Sequence, residues 1–308
     1  MFGTYKQLKF LGSGRYCNVY EVLDLRTDKR VALKVFINEM NSTYSRDMFT
    51  SEIKALRSVS HPNIVKLLGV NYHPERFITL ELCENGDLYD YVTSNKSADQ
   101  YQVRKFINQL LEGMKALHRA GVCHRDIKLE NILIDSRNTL KIADFGYSKI
   151  VEQGMSSVWC KTRCGTLQYC APEMFRSGRN KMYDGMKADM WSVGVVCFMI
   201  AFGYPPFNAA VWNDSRFMYL KRYGNPLFWE YNTCNVSHNI DEDLRDIIGT
   251  ILVIDPLYRS KADDFGTTID TEQLITEIEK VPVKKMITEI KEVPVKKKKA
   301  CFGCCVIV

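Results

Sequence analysis

The spacing of apolar residues predicts β-strands in the first part of the chain. Residues 19–23 and 31–36 are runs rich in β-branched and aromatic side chains, separated by a polar turn at residues 24–30. Residues 77–82 form a third such run. Apolar positions at helical spacing also predict one helix over about residues 47–59, ended by the His61-Pro62-Asn63 segment. Residues 5–82 therefore form a strand-rich unit that contains one helix.

From Asp87 onward the pattern becomes helical. Apolar residues recur at helical spacing between Val103 and Leu117, and Gly121 stops the pattern, which predicts a buried amphipathic helix. Residues 188–202 are apolar nearly all round, so we expect a second helix inside the larger part of the protein. A strand-rich first part and a helix-rich second part predict an α+β fold with two lobes and a cleft between them. We place the lobes at about residues 5–82 and 87–268.

Composition and charge narrow the class of protein. The chain has 308 residues, of which 46% are hydrophobic and 25% charged, an ordinary globular balance that excludes a wholly disordered chain. The net charge of +6 comes entirely from residues 280–308, which hold eight Lys and two Glu. Because the rest of the chain is neutral, we expect no broad basic face for nucleic acid.

The eleven cysteines and the first residues of the chain indicate the cellular compartment in which the protein is expected. Two CxxC motifs in a CxxC…CxxC arrangement are not present, so a zinc framework is not expected, and scattered cysteines usually behave as small buried groups in a reducing compartment. The first residues lack the apolar core of a signal peptide, and Phe2 stands where myristoylation requires Gly. The longest nearly apolar run, residues 193–202, is too short to cross a bilayer. Entry into a secretory pathway is therefore not indicated.

The most specific motif is His124-Arg125-Asp126-Ile127-Lys128-Leu129-Glu130-Asn131. An Asp on such a loop accepts the proton of an attacking hydroxyl, and an Asn five residues later reaches a metal bound to phosphate. Lys128 can neutralise a phosphoryl group during its transfer. The Asp144-Phe145-Gly146 motif follows 18 residues after Asp126, and its carboxylate suits Mg²⁺. Ala171-Pro172-Glu173 then closes the segment that follows.

In this order, the motifs resemble those of eukaryotic-type protein kinases, and Lys128 matches the serine/threonine branch. The sequence looks closest to the calcium/calmodulin-dependent and energy-sensing group, although no calmodulin-binding helix is evident. The resemblance covers about residues 5–262 and implies ATP and Mg²⁺ as cofactors and proteins as substrates. It assigns Asp126 and Lys128 to catalysis and Asn131 and Asp144 to the metal. After Arg259 the usual last helices are abbreviated.

The resemblance also implies a nucleotide site. Residues 11–19 look like the glycine-rich loop whose backbone approaches phosphate, but Cys17 replaces the third Gly. This departure predicts a stiffer loop tip, weaker phosphate contacts and a candidate oxidation site. Lys34 matches the lysine that contacts the α- and β-phosphates, with Glu52 as its ion-pair partner. The implied nucleotide-binding set is Leu11, Gly12, Ser13, Gly14, Val19, Ala32, Lys34, Glu52, Leu80, Glu81, Cys83, Asp87, Glu130 and Leu133.

Further residues are implied to regulate or support the site. Thr162 matches the activating phosphorylation site, and Arg125 would pair with its phosphate. Ser156 and Ser157 are competing phosphorylation sites, whereas Thr166 is expected to contact the catalytic loop. Two structural contacts are also implied, a brace from Asp189 to the catalytic loop and an ion pair between Glu173 and Arg259.

The last segment, residues 269–308, carries a second signal. A short helix is expected after Asp270, and residues 275–285 recur with few changes as residues 287–297, which we interpret as a duplicated extended linker. The final residues Cys305-Val306-Ile307-Val308 fit a C-a-a-X prenylation pattern, with Cys304 and Cys301 as candidate palmitoylation sites. Four lysines at 296–299 add a basic cluster that favours an anionic membrane surface. A prenyltransferase is then an expected partner, and the choice between farnesyl and geranylgeranyl stays open.

These observations predict a monomeric, membrane-tethered serine/threonine kinase of a eukaryotic cell, at the cytosolic face of a membrane, or cytoplasmic without its lipid. The alternative is a membrane-anchored pseudokinase scaffold, supported by Cys17 and the abbreviated end. A further alternative is that the basic tail binds nucleic acid or an acidic protein instead of a membrane.

Overall fold

Five strands form the sheet of the first lobe. A computed structural model describes residues 3–37, 43–94, 99–151, 157–175, 182–233 and 242–266. The strands are β1 (Tyr5–Ser13), β2 (Cys17–Asp24), β3 (Lys29–Phe36), β4 (Leu67–Asn71) and β5 (Phe77–Leu80). They pair antiparallel in the order β1-β2-β3-β5-β4. The predicted strand-rich lobe is therefore an antiparallel sheet with β3 at its centre.

The strand register corrects two sequence-based boundaries. The polar turn predicted at residues 24–30 is shorter, because Asp24 pairs with Lys29 across β2 and β3 and leaves a turn in which Asp28 has φ of +54°. The strand predicted for residues 77–82 ends at Leu80, which pairs with both Ala32 and Leu67. Beyond Leu80 the chain leaves the sheet toward the second lobe.

One helix, α1 (Thr43–Ser58), packs beside this sheet. Its buried residues include Phe49, Glu52 and Ile53, so the apolar face predicted from the sequence is correct. The predicted start at residue 47 is one turn too late. The first turn contributes no apolar stripe to the pattern, since Tyr44 is exposed and the buried Ser45 is polar.

The second lobe is mainly helical. Its helices are α2 (Leu88–Ser94), α3 (Gln100–Arg119), α4 (Gly185–Phe202), α5 (Ser215–Thr233, interrupted at Gly224) and α6 (Glu242–Ile251). Short strands form three two-stranded pairs: β6 (Val122–Cys123) with β9 (Lys149–Ile150), β7 (Ile132–Ile134) with β8 (Leu140–Ile142), and β10 (Trp159–Cys160) with β11 (Tyr183–Asp184). The chain thus has the predicted α+β architecture of a sheet lobe and a helical lobe.

Helices α3 and α4 form the centre of the helical lobe. Asp99 caps α3 by accepting a hydrogen bond from the backbone of Tyr101, and Gly121 turns the chain away with φ of +71°. Helix α4 begins after Asp184, whose carboxylate accepts from two backbone N–H groups of the first turn. By length and composition α4 could cross a membrane, but 72% of it is buried within the protein, which confirms the predicted core helix.

Apolar residues form two separate clusters. The main cluster runs through both lobes and joins α1, β5, α3 and α4. A smaller cluster of Tyr5, Val22, Val31 and Leu33 lies on the other face of the sheet, because alternate residues of β3 point to opposite faces. The described cysteines are all free thiols. The short helix, duplicated linker and lipidation sites predicted for residues 269–308 lie outside the described residues.

Candidate active site

The loop after β6 brings the two predicted catalytic residues and one predicted metal ligand together. Asp126 Oδ2 lies 3.0 Å from Asn131 Nδ2 and 3.1 Å from Lys128 Nζ. Its other oxygen, Oδ1, accepts a hydrogen bond from the backbone N–H of Thr166 at 3.1 Å. Lys128 also donates to the Thr166 hydroxyl at 3.2 Å. The predicted contact of Thr166 with the catalytic loop is therefore present, and the donors around Asp126 hold its carboxylate in one orientation.

Asp189 braces this loop from the buried helix α4, as predicted. Its two carboxylate oxygens accept from the backbone N–H groups of His124 at 2.7 Å and Arg125 at 2.8 Å. Burial would raise the pKa of Asp189, but the hydrogen bond from His118 and these contacts lower it. His118, whose Nε2 lies 3.2 Å from Asp189, was missed because it stands at the end of α3 outside any short motif. Arg125 has φ of +70°, a strained backbone conformation. The hydrogen bond from its N–H to Asp189 stabilises this conformation.

Lys34 lies between two carboxylates. Its Nζ is 2.8 and 2.7 Å from the two oxygens of Glu52, which confirms the predicted ion pair. It is also 2.9 Å from Asp144 Oδ1, a contact that the sequence did not predict. Burial would lower the pKa of Lys34, but the two carboxylates outweigh this and raise it. Burial likewise opposes ionisation of Asp144, yet Lys34 holds the pKa of Asp144 at about 2.

The two candidate metal ligands come from neighbouring chain segments. The backbone carbonyl of Asn131 accepts from the N–H of Ala143 at 2.9 Å, which places Asn131 beside the residue preceding Asp144. The Asn131 amide nitrogen donates to Asp126, so its amide oxygen remains as a ligand. Oxygen donors of this kind, one amide and one ionised carboxylate, suit Mg²⁺. The residues present therefore fit the expected cation, and Asn131 and Asp144 would hold it together with phosphate.

Asp144 is aimed by the residues around it. It has φ of +63°, a strained backbone conformation found at functional sites. Phe145 is fully buried, with its ring 4.8 Å from that of His124. His124 Nε2 in turn lies 2.9 Å from the carbonyl oxygen of Ala143. The Asp144 carboxylate is thus fixed toward the cleft by packing on the catalytic loop.

The glycine-rich loop connects β1 and β2 beside Lys34. The Gly14 N–H donates to the Cys17 carbonyl at 2.8 Å, so the loop closes as a tight turn. A side chain at Gly12 would meet no atom within 4 Å, which leaves this part of the backbone open to a ligand. Cys17 is half-buried, and burial raises the pKa of its thiol. A thiol with a raised pKa is a poor nucleophile, which argues against the oxidation role suggested for Cys17 by its position.

The predicted adenine residues line the join between the lobes. Ala32 and Leu80 are buried neighbours across β3 and β5. The Glu81 carboxylate accepts from Lys141 Nζ at 3.1 Å and from the backbone N–H of Lys66 at 2.8 Å. Any contact of Glu81 with adenine would therefore use its backbone carbonyl. Among the described residues, the backbone of Cys83 has no hydrogen-bond partner, so its groups suit the edge of a base.

The outer nucleotide residues have structural partners of their own. Asp87 caps α2 by accepting from the backbone of Asp90 at 2.9 Å, and its backbone bridges to Leu133. Leu11 is 43% exposed at the end of β1. Glu130 is exposed and hydrogen-bonded to Tyr169. The contacts of these residues, Ser13 and Val19 with a nucleotide stay predictions.

The described residues between Gly146 and Ala171, called the activation segment below, contact the catalytic loop through Thr162. Arg125 Nη2 donates to both the carbonyl and the hydroxyl oxygen of Thr162, at 2.9 Å each. Tyr183, which the motifs did not indicate, donates its hydroxyl to the same carbonyl at 3.0 Å. Ser157 is half-buried, and Ser156 lies outside the described residues. Further along, Glu173 and Arg259 form the predicted buried pair at 2.7 Å.

The sheet lobe presents a Lys–Glu pair, and the helical lobe presents a loop with Asp, Lys and Asn. This combination defines the two-lobed class of phosphotransferase folds. Residues 5–267 match the family model described as "Protein kinase domain". The chain therefore belongs to the protein kinase family, whose members use ATP and Mg²⁺.

Curated relatives agree with this family. The chain is 38% identical over 219 residues to "CBL-interacting serine/threonine-protein kinase 15" of Arabidopsis thaliana, covering 70% of this chain and 50% of that protein. It is 30% identical over 292 residues to "Probable serine/threonine-protein kinase fhkE" of Dictyostelium discoideum, covering 90% and 40%. It is 32% identical over 256 residues to "Carbon catabolite-derepressing protein kinase" of Secale cereale, covering 82% and 48%. The chain spans about half the length of these relatives or less.

Proposed function

We propose that this protein is a serine/threonine protein kinase that transfers the γ-phosphate of ATP to Ser or Thr hydroxyls of proteins. The observation that carries the proposal is that Asp144 joins the two groups: it contacts Lys34 at 2.9 Å, and the preceding Ala143 donates to Asn131 of the Asp126 loop at 2.9 Å. The printed names of the relatives support a serine/threonine substrate class for this chain. Both sides of the phosphotransfer set are thus present.

Asp126 would accept the proton of the attacking hydroxyl. Its carboxylate is oriented by Asn131, Lys128 and the Thr166 backbone, so the acceptor oxygen is fixed before substrate arrives. The hydroxyl oxygen forms a bond to the γ-phosphorus while the bond to the β-phosphate oxygen breaks. Lys128 and Lys34 place positive charge beside the phosphates. Mg²⁺, when bound, supplies further charge against the phosphate oxygens.

Phosphate transfer from γ-labelled ATP to a generic basic protein tests the enzyme. Asp126→Asn should lower kcat by roughly 10²- to 10⁴-fold, because a positioned base contributes about that factor. Asp28→Asn is the matched control, since Asp28 lies in the exposed β2–β3 turn with φ of +54°, a conformation that Asn tolerates. Equal labelling by wild type and Asp126→Asn would favour the pseudokinase scaffold instead.

We propose further that residues 296–308 tether the kinase to the cytosolic face of a membrane. Support comes from the sequence alone: Cys305 in a C-a-a-X pattern, with Cys304 and Cys301 nearby, and the lysines at 296–299. One prenyl chain binds a membrane only marginally, whereas a chain with a second signal binds stably. Lysines near an anionic leaflet contribute about 1 kcal/mol each.

Two measurements test the tether in cells. Mass spectrometry of the C-terminal peptide shows whether Val308 ends the mature protein or the last three residues are lost from a prenylated Cys305. Fractionation then compares wild type with Cys305→Ser, which should move to the soluble fraction. A Cys305→Ser protein that remains with membranes would exclude prenylation as the anchor. Release of the wild type by nuclease would instead favour binding of the tail to nucleic acid.

A further inference from the structure

Two thiols meet where the activation segment crosses the strand that leads into the catalytic loop. Cys123 is the last residue of β6 and directly precedes His124. Cys160 is the last residue of β10 and lies two residues before Thr162. Both are buried, with Cys123 fully inaccessible and Cys160 2% exposed. The phosphotransfer chemistry described above uses neither of them.

The start of helix α4 shows how close the two sulfurs are. A Cβ atom at Gly185 would lie 2.6 Å from Cys123 Sγ and 3.1 Å from Cys160 Sγ. The two sulfurs therefore flank the position that a side chain at residue 185 would occupy. Because residue 185 is glycine, no side chain fills that position. The Cys160 thiol donates to the carbonyl of Val158 at 3.7 Å, and the Cys123 thiol lies beside it. Gly185 is itself fixed by its N–H, which donates to the carbonyl of Val158 at 2.8 Å.

The surroundings activate one of the two thiols. The neighbouring Cys123 thiol lowers the pKa of Cys160 to about 7, against its burial, and the nearby cations Arg125 and Lys149 act in the same direction. Burial raises the pKa of Cys123. Among the described cysteines, Cys160 is the one whose pKa is lowered. Since the thiolate is the reactive form, Cys160 is the favoured site of attack on an oxidant.

An oxidant can reach this position through a cavity in front of the activation segment. Cys160 lines a cavity of about 560 Å³ together with Arg125, Lys149, Thr162 and Met182. The cavity admits groups the size of water, and hydrogen peroxide is a molecule of two oxygen atoms. Cys123 does not line this cavity, so it would react second, from behind Cys160.

We propose that Cys160 is a peroxide-sensitive modification site and that Cys123 is its resolving partner. The Cys160 thiolate attacks one peroxide oxygen, the O–O bond breaks, and the products are Cys160 sulfenic acid and, after protonation, water. The Cys123 sulfur then attacks the sulfenic sulfur, the S–O bond breaks, and a second water leaves with the Cys123 proton. Two thiols are oxidised to one disulfide, and one hydrogen peroxide is reduced to two waters.

The disulfide would join β6 to β10, that is, the strand before the catalytic loop to the strand before Thr162. These strands belong to different two-stranded pairs and share no strand pairing with each other. The link would therefore hold the activation segment in the arrangement where Thr162 contacts Arg125. This consequence depends on the fold and does not require the proposed kinase activity.

Peptide mapping of the full chain after treatment with hydrogen peroxide tests the proposal. Wild type, mapped under non-reducing conditions, should yield a Cys123–Cys160 cross-linked peptide that dithiothreitol removes. Hydrogen exchange of residues 157–166 should slow in the oxidised protein. In Cys123→Ala, the sulfenic acid should persist on Cys160 and react with dimedone. Cys160→Ala should lose both products.

Cys197→Ala is the matched control, because Cys197 is buried in α4 and its burial raises its pKa to about 12. It should form the Cys123–Cys160 link as readily as wild type. The proposal is overturned if peroxide oxidises Cys164 or Cys170 while Cys160 stays reduced. It is equally overturned if Cys160 in folded wild type is oxidised without any link to Cys123. The wild-type map decides both points, even where an alanine variant folds poorly.

Discussion

The ion pair between Lys34 and Glu52 allows a quantitative test of the cleft. Glu52→Gln keeps the size of the side chain but removes its charge. In the wild type, the fully buried carboxylate accepts two hydrogen bonds from Lys34, at 2.8 and 2.7 Å. The amide oxygen of Gln can accept one hydrogen bond from Lys34. Lys34 also keeps Asp144 as a charged partner at 2.9 Å.

The expected loss follows from these contacts. Removing one partner of a buried ion pair costs about 3–5 kcal/mol when the other charge is left alone. Here the contact to Asp144 remains, and one buried carboxylate no longer has to be desolvated, so we expect a loss of about 2 kcal/mol. For a chain of this size, 1 kcal/mol shifts the Tm by about 2–4 °C, so the Tm should fall by about 4–8 °C.

Thermal unfolding monitored by circular dichroism measures this shift. The matched control is Glu21→Gln, because Glu21 pairs with Arg30 at a similar 2.9 Å while the Arg30 side chain is 54% exposed. An exposed pair contributes about 0–1 kcal/mol, so the control should change the Tm by no more than about 4 °C. Equal shifts in the two variants, or no shift in Glu52→Gln, would refute the reasoning, since Asp144 alone would then suffice to anchor Lys34.

Three further outcomes are expected. Lys34 holds the pKa of Asp144 at about 2, below its ordinary value of 3.8, so the unfolded state binds more protons at acid pH. The stability from this group is therefore full above about pH 4 and lost as the pH falls through 2, a decline that urea unfolding should show in wild type and not in Asp144→Asn. Cys17→Gly, which restores the third glycine of the loop, should lower the KM for ATP roughly threefold with kcat nearly unchanged in steady-state kinetics, and an unchanged KM would remove Cys17 from phosphate binding. Arg259→Met should lower the free energy of unfolding by about 3–5 kcal/mol in urea titrations, because it leaves Glu173 buried without its partner, whereas a loss below about 1 kcal/mol would show that Glu173 finds another donor.

The sequence predicted those parts of the structure that local patterns determine. Helix α3 was found because Val103 to Leu117 keep one apolar face, and a single face is enough to specify a packed helix. Strand β1 gave no comparable signal, since the side chains from Lys6 to Phe10 are all exposed and do not alternate. The early start of α1 was missed for the related reason that its first turn buries no apolar residue.

The site divides in the same way. Residues within one motif, such as Asp126 and Asn131, can be predicted to act together from their spacing in the sequence. Contacts between distant segments cannot be predicted in this way: Lys34 and Asp144 are 110 residues apart, and His118 and Asp189 are 71 residues apart. The direction of the Glu81 side chain depends on Lys141, which the fold brings near and the sequence does not mark. Such contacts depend on how the two lobes fold around the cleft.

The small cluster on the outer face of the sheet has a practical consequence. Val22 and Leu33 are fully buried there, yet the backbone of the sheet separates them from the core that runs through both lobes. The turn beside this cluster carries Leu25, which is 54% exposed. A fluorescent or spin label attached at Leu25 would follow the movement of the sheet lobe without disturbing the cleft. A change in the signal of the label when ATP is added would therefore report movement of the sheet lobe from the side opposite the predicted nucleotide site.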